Sequence, residues 1–421
     1  MARRILIAVG LYGSLLASYA YAEEALDPEV LFKDAMQSRY EGNLFKSIEL
    51  LETILSHQPN LSRARLELAV SYHMTRRYVD AKKLLLNVLN EDGTPDAVKL
   101  SITAYLAQLS SDIRTSAERS SSSMYLSAGT FTDSNINLGP GKDITGITPN
   151  SFEKSGSGSQ LMFTFAHRAR ASQAIHINKS IVDFEWLTQA TAYNKAYLSG
   201  NSDFNLSILT LNTGPALIAE KSWRAAFNFK IDKILFGNDD YAEYVGINPV
   251  FTYTLIDDLE ITFANNTTAR EYDQQETRGL TGTMTTWTVD VAKFYPNHSI
   301  GLQAGIKYHN NGARDANLHF TGNEFYFGGQ MAAWENAQAY LTMSTRDYNY
   351  KAPDGTFNTT NARNDTEIIA VLGISHNFRK NNLLKNWTLN AQYTFTDNDS
   401  SVDEFKFDRN IFEVSLRRYF L

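Results

Sequence analysis

Apolar and polar residues alternate along many short stretches of the chain between Met124 and Leu421. Between Trp387 and Thr396, for example, every odd-numbered residue is apolar and every even-numbered residue is polar. A β-strand points successive side chains to opposite faces, so each such stretch predicts a strand with one apolar and one polar face. Many such strands are typical of a transmembrane β-barrel, whose strands need about 9–11 residues with apolar side chains toward lipid and polar ones inside.

The alternation predicts an antiparallel outer-membrane barrel of about fourteen strands. We assign the strands to residues 125–136, 160–170, 174–186, 203–218, 222–236, 241–255, 258–271, 285–294, 299–309, 323–333, 337–347, 366–378, 386–396 and 410–420. Connections after odd-numbered strands are mostly long and polar, and those after even-numbered strands are mostly short. Outer-membrane barrels alternate in this way, and both ends of such a barrel lie on the periplasmic side. The stretch 174–203 is also compatible with two strands, so the count stays open between twelve and sixteen.

Composition is consistent with this fold class. Aromatic residues make up 12% of the chain and cluster near the predicted strand ends, as the aromatic girdles at membrane interfaces do. A soluble β-sandwich is the alternative, but the strand count and the loop alternation favour the barrel. The formal net charge of −7 argues against a nucleic acid as the main partner.

The first 22 residues have the features of a secretory signal peptide. Arg3 and Arg4 precede an apolar stretch, and Ala20-Tyr21-Ala22 forms a small-x-small cleavage site. We therefore expect cleavage before Glu23 and export from the cytoplasm. The sequence contains no cysteine, which excludes disulfides, thiol chemistry and a lipid anchor on this chain's own cysteine.

Residues 23–116 change from a period of two to the helical period of 3.6. Two helix–turn–helix units repeat with a spacing of 34 residues, so that Ala35 corresponds to Ala69 and Leu51 to Leu85. This spacing is the signature of tetratricopeptide (TPR) repeats. A further helix near 95–113 would cap the second repeat. We expect a periplasmic TPR-like module at 23–116, a polar linker at 117–123 and the barrel at 124–421.

The first helix of each TPR-like pair should form the concave wall of the module. We predict that this wall is a groove for a segment of a cargo protein. Its predicted lining residues are Glu29, Phe32, Met36, Arg39, Arg63, Leu66, Val70 and His73. The alternative for the apolar members of this set is an ordinary core position.

A second group of candidate residues lies at predicted strand ends of the barrel. By strand parity, Arg270, Arg346 and Arg409 face the lumen near its external end, and each has an acidic neighbour such as Asp408. One interpretation is a charged inner rim that shapes or gates the pore. The alternative is the general charge pairing that a wet interior requires.

No catalytic residue, metal site or cofactor is predicted. The sequence contains no Gly-x-Ser-x-Gly elbow, no Walker loop, no His-Glu-x-x-His motif and no dinucleotide-binding glycine pattern. Its eight histidines are scattered, without a second histidine at ligand spacing. These observations argue against an enzyme.

The layout and several local motifs resemble the surface lipoprotein assembly modulators (Slam proteins), the outer-membrane component of type 11 secretion. The similar motifs are the Asp-Ser-Asn-x-Asn ending of the first strand at Asp133–Asn137, the final loop at Phe407–Asn410, the final strand at Phe412–Phe420, and the strand end Arg346–Tyr348. The resemblance covers almost the whole mature chain. The helical module is short for the family, with two clear repeats.

The resemblance implies a translocator that moves cargo proteins, either surface lipoproteins or soluble secreted proteins, from the periplasm to the cell surface. The implied location is the outer membrane, with the N-terminal domain in the periplasm. The implied partners are the cargo, outer-membrane lipids and lipopolysaccharide, and the barrel-assembly machinery, whose signal the aromatic ending Tyr419-Phe420 resembles. Two alternatives remain open: a surface adhesion barrel that binds host molecules, and a polysaccharide-export or porin-like channel with a helical module.

Overall fold

The structure is a computed structural model. It describes residues 27–91, 93–116, 119–141, 152–171, 174–177, 180–198, 200–219, 222–256, 258–357, 360–379 and 384–420. The predicted signal peptide, residues 1–22, lies outside the described residues. The chain forms two compact units, one ending at Leu109 and one beginning at Ser110.

The first unit is built from helices. They are α1 (Pro28–Tyr40), α2 (Leu44–His57), α3 (Ser62–Met74), α4 (Tyr78–Leu89) and α5 (Asp96–Ser116). The pair α3–α4 begins 34 residues after the pair α1–α2, since 62 − 28 and 78 − 44 are both 34. In the described residues, no helix is both long and apolar enough to cross a membrane.

Small buried residues allow these helices to pack closely. Ala35, Ala69 and Ala81 are fully buried, and the hydroxyls of Ser47 and Ser71 lie 3.3 Å apart between α2 and α3. A side chain larger than these would hold the helix axes apart. The sequence repeat therefore marks the positions of closest helix approach.

The second unit is an antiparallel β-barrel. Its strands are β1 (Ser120–Asp133), β2 (Gly156–Arg170), β3 (Ile175–Ile177), β4 (Ser180–Tyr197), β5 (Leu206–Ala219), β6 (Trp223–Phe236), β7 (Asp239–Ile256), β8 (Leu259–Tyr272), β9 (Gly282–Tyr295), β10 (Ile300–Ala313), β11 (Phe320–Trp334), β12 (Ala337–Tyr350), β13 (Asn364–Asn377), β14 (Trp387–Ser400) and β15 (Phe407–Phe420). The three-residue β3 pairs with the start of β4. The other fourteen strands close into the barrel through pairing of β1 with β15, which confirms the predicted fold class.

Two predicted boundaries differ most from the structure, while the other predicted strand ends lie within four residues of the observed ones. The strand predicted at 174–186 lies at Ser180–Tyr197, so the predicted long loop up to 203 is mostly strand. The predicted linker 117–123 contains the start of β1, because Ser120–Ser123 pair with Ala166–Ala169 of β2. Serine side chains carry no apolar alternation, so main-chain pairing in this stretch leaves no sequence signal.

The two faces of the barrel follow the alternation. Phe227, Phe229 and Ile231 of β6 are 38%, 48% and 50% exposed on the outer face, while Lys230 and Asp232 form an ion pair of 2.9 Å on the inner face. Exposed apolar side chains in a continuous belt are expected where lipid is the surrounding medium. We call the end of the barrel with the connections after β1, β8, β10, β12 and β14 the loop end, and the opposite end, where β1 begins and β15 ends, the terminal end.

Candidate functional site

Two direct contacts join α1 to α3 on one face of the helical unit. The guanidinium carbon of the exposed Arg63 lies 4.3 Å from the ring centroid of the buried Phe32. Arg39 donates hydrogen bonds to the carboxylate of Glu67 (2.5 Å) and to its main-chain oxygen (3.2 Å), and also to the sulfur of Met36 (3.2 Å). The structure thus places four of the predicted groove residues in one continuous face, which we call the α1–α3 face.

The remaining predicted groove residues lie along the same helices. Leu66 and Val70 of α3 are partly buried, and Glu29 is exposed in the first turn of α1. The His73 ring shares a hydrogen bond of 2.6 Å with the hydroxyl of Tyr105 in α5, and the two rings are perpendicular with centroids 5.2 Å apart. Therefore α5 contacts the last turn of α3 through His73.

Among the predicted rim residues, Arg346 belongs to a buried cluster that we call the Glu324 hub. Its Nε donates to Glu324 (3.0 Å) and its Nη1 to Glu367 (3.0 Å). Glu324 also accepts from Lys307 (2.8 Å) and lies 3.1 Å from the Nε2 of His309. The Glu324 side chain is 3% exposed. A buried carboxylate with several cationic donors holds neighbouring strands together on the inner face.

Arg270 has different partners. Its Nη2 donates to the side-chain oxygen of Asn311, and its Nη1 lies 3.7 Å from the sulfur of Met284. The Arg270 Nε is buried and has no hydrogen-bond acceptor among the described residues. The predicted rim arginines therefore lie in separate clusters and do not form one ring.

Arg409 lies in a second buried cluster, the Asp133 hub, at the junction of β1 and β15. It donates to both carboxylate oxygens of Asp133, at 2.9 and 2.6 Å. The same carboxylate accepts from the hydroxyl of Tyr197 (2.9 Å), the ammonium of Lys195 (3.4 Å) and the main-chain N–H of Asn135 (3.1 Å). The Asp133 side chain is 0% exposed, so its carboxylate is closed to solvent and all of its partners belong to the protein.

The predicted rim residue Asp408 does not enter the hub. It precedes the hub's arginine in β15, so its side chain points to the other face of the sheet, where it is exposed. Its main-chain oxygen accepts a hydrogen bond from the side-chain amide of Asn135 (3.0 Å). The same amide donates to the main-chain oxygen of Gly139 (2.8 Å), and its oxygen accepts from the Gly139 N–H (2.9 Å). The Ser134 N–H donates to the main-chain oxygen of Asn410 (2.9 Å), and the Asn410 N–H donates to the Ser134 hydroxyl (2.8 Å). The Asp-Ser-Asn stretch therefore ties the end of β1 to the start of β15.

Gly158 explains how side chains of β4 reach a carboxylate on β1 across the intervening strand β2. A Cβ on Gly158 would lie 2.0 Å from the main-chain oxygen of Ala196 and 2.7 Å from the ring of Phe131. Without it, the rings of Phe131 and Tyr197 meet over β2 with centroids 5.0 Å apart. The ammonium of Lys195 lies 4.2 Å from the Phe131 centroid.

The interior differs between the two halves of the barrel. A cavity of about 1030 Å³ lies toward the terminal end, and its lining includes the bidentate pair Arg224–Glu260 (2.6 and 2.7 Å) and Gln330. Toward the loop end, inward strand positions carry aromatic rings, as in Tyr244 and Tyr272, whose hydroxyls share a bond of 2.7 Å. The interior thus contains an open polar cavity at the terminal end, and aromatic rings together with the Asp133 and Glu324 hubs toward the loop end.

Asp133, Lys195, Tyr197 and Glu324 were not among the predicted site residues. Strand parity would have placed Asp133 on the same face as Phe131, inside the barrel, and its place in the Asp-Ser-Asn stretch was a second signal. The partners of Glu324 depend on strand register, for which the sequence has no marker. Among the described residues, no group of three or more His, Asp or Glu side chains is placed to hold a metal ion.

Comparison with known proteins gives a family match that covers the barrel, and a curated relative. The family described as surface lipoprotein assembly modifier matches residues 123–420. A protein of Pasteurella multocida (strain Pm70) with the same description is 29% identical over 134 residues, which cover 31% of this chain and 25% of that relative. The alignment thus spans about a quarter of the curated relative's length.

Solved outer-membrane structures also align with the barrel. Pseudomonas aeruginosa OprD is 9% identical, with 72% of this chain and 95% of that chain covered and a TM-score of 0.37. Acinetobacter baumannii OccAB4 is 8% identical, with 72% of this chain and 99% of that chain covered and a TM-score of 0.35. A loop-deleted OmpT of Vibrio cholerae is 10% identical, with 72% of this chain and 100% of that chain covered and a TM-score of 0.37.

Proposed function

Because the chain belongs to the surface lipoprotein assembly modifier family, we propose that it is a translocator that moves specific cargo proteins from the periplasm to the cell surface. The resemblance to this family seen in the sequence is confirmed, and the chain is an outer-membrane barrel protein. The family match carries the proposal, because it extends over 123–420 and includes both strands of the closing junction. The proposed cargo is a surface lipoprotein, with a soluble secreted protein as the second class.

Cargo first binds the α1–α3 face in this proposal. Arg39 is already paired with Glu67, whereas the exposed guanidinium of Arg63 lies on the Phe32 ring. The buried Phe32 ring holds the guanidinium of Arg63 in place, and the exposed side of that cation is available to a carboxylate on the cargo segment. This chemistry supports recognition of a protein segment.

The cargo then passes through or along the barrel. The polar cavity and the charge-paired interior support a wet path, since ion pairs such as Arg224–Glu260 tolerate water. The sequence contains no nucleotide-binding motif, so the proposed source of direction is folding of the cargo outside the cell. A passive channel would share the wet interior but would have no use for a cargo-binding face.

Partners in the membrane follow from the outer surface. The exposed apolar belt supports contact with outer-membrane lipids and lipopolysaccharide. The aromatic ending Tyr419-Phe420 supports recognition by the barrel-assembly machinery during insertion. The N-terminal domain lies in the periplasm in this proposal.

The test uses a candidate cargo lipoprotein encoded beside this protein. Intact cells express the cargo with the full chain, with Arg63→Ala, or with a matched control, Lys83→Ala, which removes an exposed cation from α4. Surface cargo is measured by antibody labelling and protease shaving. We expect display with the full chain and Lys83→Ala, and reduced display with Arg63→Ala.

Barrel insertion is checked in the same cells by the heat-dependent mobility of the folded barrel. If the full chain inserts normally and no neighbouring lipoprotein or secreted protein reaches the surface, the translocator proposal fails and the adhesion or channel alternative takes its place. If display occurs and Arg63→Ala matches Lys83→Ala, translocation stands and the α1–α3 face is not the recognition site.

A further inference from the structure

In the part of the chain that the structure describes, the junction between β1 and β15 has the shortest ladder of the barrel. It contains ten register pairs, from Met124↔Phe420 to Asp133↔Ile411, whereas every other ladder between neighbouring barrel strands contains 12 to 14. On its other side β1 pairs with β2 along all 14 of its residues. Consequently, Ser120–Ser123 have a strand partner on one side only among the described residues.

This stretch is a polar strand edge at the terminal end of the barrel. Four residues span about 13 Å at 3.3 Å per residue, and main-chain N–H and C=O groups along a strand edge bind a further extended chain. The side chains of Ser120–Ser123 are exposed and small, so they do not obstruct an added strand. We call this stretch the β1 edge.

Side-chain ties across the junction are concentrated at the loop end. Of the donors to the buried Asp133 carboxylate, Arg409 of β15 crosses the junction with two hydrogen bonds, at 2.9 and 2.6 Å. Ser134 and Asn410 add two more hydrogen bonds across the junction at the same end. In the middle of the junction the β1 side chains are small, because Gly129 lies opposite Ser415 and Ala128 opposite Leu416. In the terminal half, two ring contacts cross the junction: Tyr125 with Tyr419, 5.4 Å between centroids, and the Arg417 guanidinium 5.0 Å from the Tyr125 centroid. The two halves of the junction therefore differ in strength.

Cationic side chains flank the β1 edge. Arg168 of β2 pairs in register with Ser121 and is half exposed. Arg417 of β15 pairs with Ser127, and its Nε is buried without a hydrogen-bond acceptor among the described residues. Arg168 lies 3.8 Å from the Glu185 carboxylate, which is bound more closely by Arg170 at 2.8 Å. An acidic side chain on an added strand would therefore give the half-exposed Arg168 a second carboxylate partner.

We propose that the β1 edge is the docking site for an extended, acidic segment of the cargo. The segment adds antiparallel to Ser120–Ser123 and then replaces β15 residue by residue along the terminal half of the junction. The Asp133 hub holds the loop end closed and acts as the hinge. This inference rests on the proposed function, since it names the part of the cargo that the barrel binds.

Docking is tested apart from transport with a synthetic peptide that alternates aspartate and valine and carries one central cysteine. Because the natural chain has no cysteine, Ser123→Cys introduces a single thiol at the β1 edge. Asn297→Cys, in the exposed turn between β9 and β10 at the same end, is the matched control. We expect disulfide capture at Ser123→Cys, weaker capture of a lysine–valine peptide, and background capture at Asn297→Cys.

Opening of the junction is tested with two disulfides that share one residue of β15. Leu416 pairs with Ala128 across the junction and with Leu389 on the β14 side. Oxidised Ala128→Cys/Leu416→Cys should reduce surface cargo to background and a reductant should restore it. Oxidised Leu389→Cys/Leu416→Cys should display cargo normally.

The outcomes separate the two levels of the argument. Equal peptide capture at both cysteines, or normal display with the Ala128–Leu416 disulfide formed, overturns the docking proposal while translocation stands. Absence of surface cargo with the cysteine-free chain overturns the proposed function, and the peptide capture then shows on its own whether the β1 edge accepts a strand.

Discussion

Removing the charge of Asp133 should strongly destabilise the barrel. Asp133→Asn keeps the shape of the side chain but removes the anion that faces the guanidinium of Arg409 and the ammonium of Lys195. The carboxylate is 0% exposed, so water cannot take its place. Breaking a buried ion pair by removing one partner costs about 3–5 kcal/mol, and each 1.4 kcal/mol is a factor of ten. The unfolding equilibrium constant should therefore rise by more than about 100-fold.

The measurement is guanidinium unfolding of the purified full chain in detergent micelles, followed by tryptophan fluorescence and by heat-dependent mobility. The matched control is Asp408→Asn, which removes the same charge from an exposed side chain at the same end of the barrel. Exposed positions of this kind change stability by about 0.5 kcal/mol or less. Equal unfolding midpoints for Asp133→Asn and Asp408→Asn would refute the assignment of the hub as the main tie between β1 and β15.

Three further results follow from the same reasoning. Glu324→Gln should lower the free energy of unfolding by about 3–5 kcal/mol, while Glu243→Gln, whose carboxylate is 61% exposed, should change it by less than about 1 kcal/mol, in the same guanidinium assay. Gly158→Ala should lower the thermal midpoint because its Cβ would meet a main-chain oxygen at 2.0 Å, whereas Gly329→Ala, with its nearest contact at 3.4 Å, should fold normally. Burial and a hydrogen bond to a glutamate raise the pKa of Tyr72, so its hydroxyl should stay protonated at pH 10, where free tyrosine ionises. The absorbance of tyrosinate at about 295 nm measures this ionisation. The difference in this absorbance between the natural chain and Tyr72→Phe should therefore not change up to pH 10. Because the folded pKa lies above the unfolded one, Tyr72 stabilises the fold below pH 10 and loses this contribution as pH rises above it.

The barrel could be predicted because its outer face is apolar along most strands. The alternating stretch from Trp387 to Thr396 lies within β14, as expected. Strand β4 was placed wrongly because its alternation is blurred: the outward positions include Thr188 and Asn194, and the inward positions include Leu187 and Tyr193. Both faces of β4 therefore mix polar and apolar residues, and periodicity alone does not locate the strand.

The candidate site was less predictable than the fold. Strand parity is a local property, so it placed Arg346 and Arg409 on the inner face. Their partners depend on register and on how the barrel closes, because Asp133 and Arg409 are 276 residues apart in the chain. The same limit applies to Glu324, whose donors come from β10 and β12. The alternation of residues along a strand therefore predicted on which face of the barrel each arginine lies, whereas its hydrogen-bond partner is known only from the structure.

The hydrogen-bond requirements of a strand in lipid favour a junction that exchanges strands over one that simply opens. If β1 and β15 separated in the membrane, each freed N–H and C=O would lose its partner without water to replace it, at several kcal/mol per group. An incoming strand avoids this cost when it forms one new pair for each pair that is lost. Such an exchange needs a starting point where one side of β1 has no strand partner, and among the described residues Ser120–Ser123 supply one at the terminal end. It also needs a fixed end so that β15 is displaced without leaving the barrel, and the Asp133 hub supplies it at the loop end. A chain with the hub weakened by Asp133→Asn should therefore lose cargo display together with barrel stability, whereas a chain with the β1 edge blocked should lose display alone.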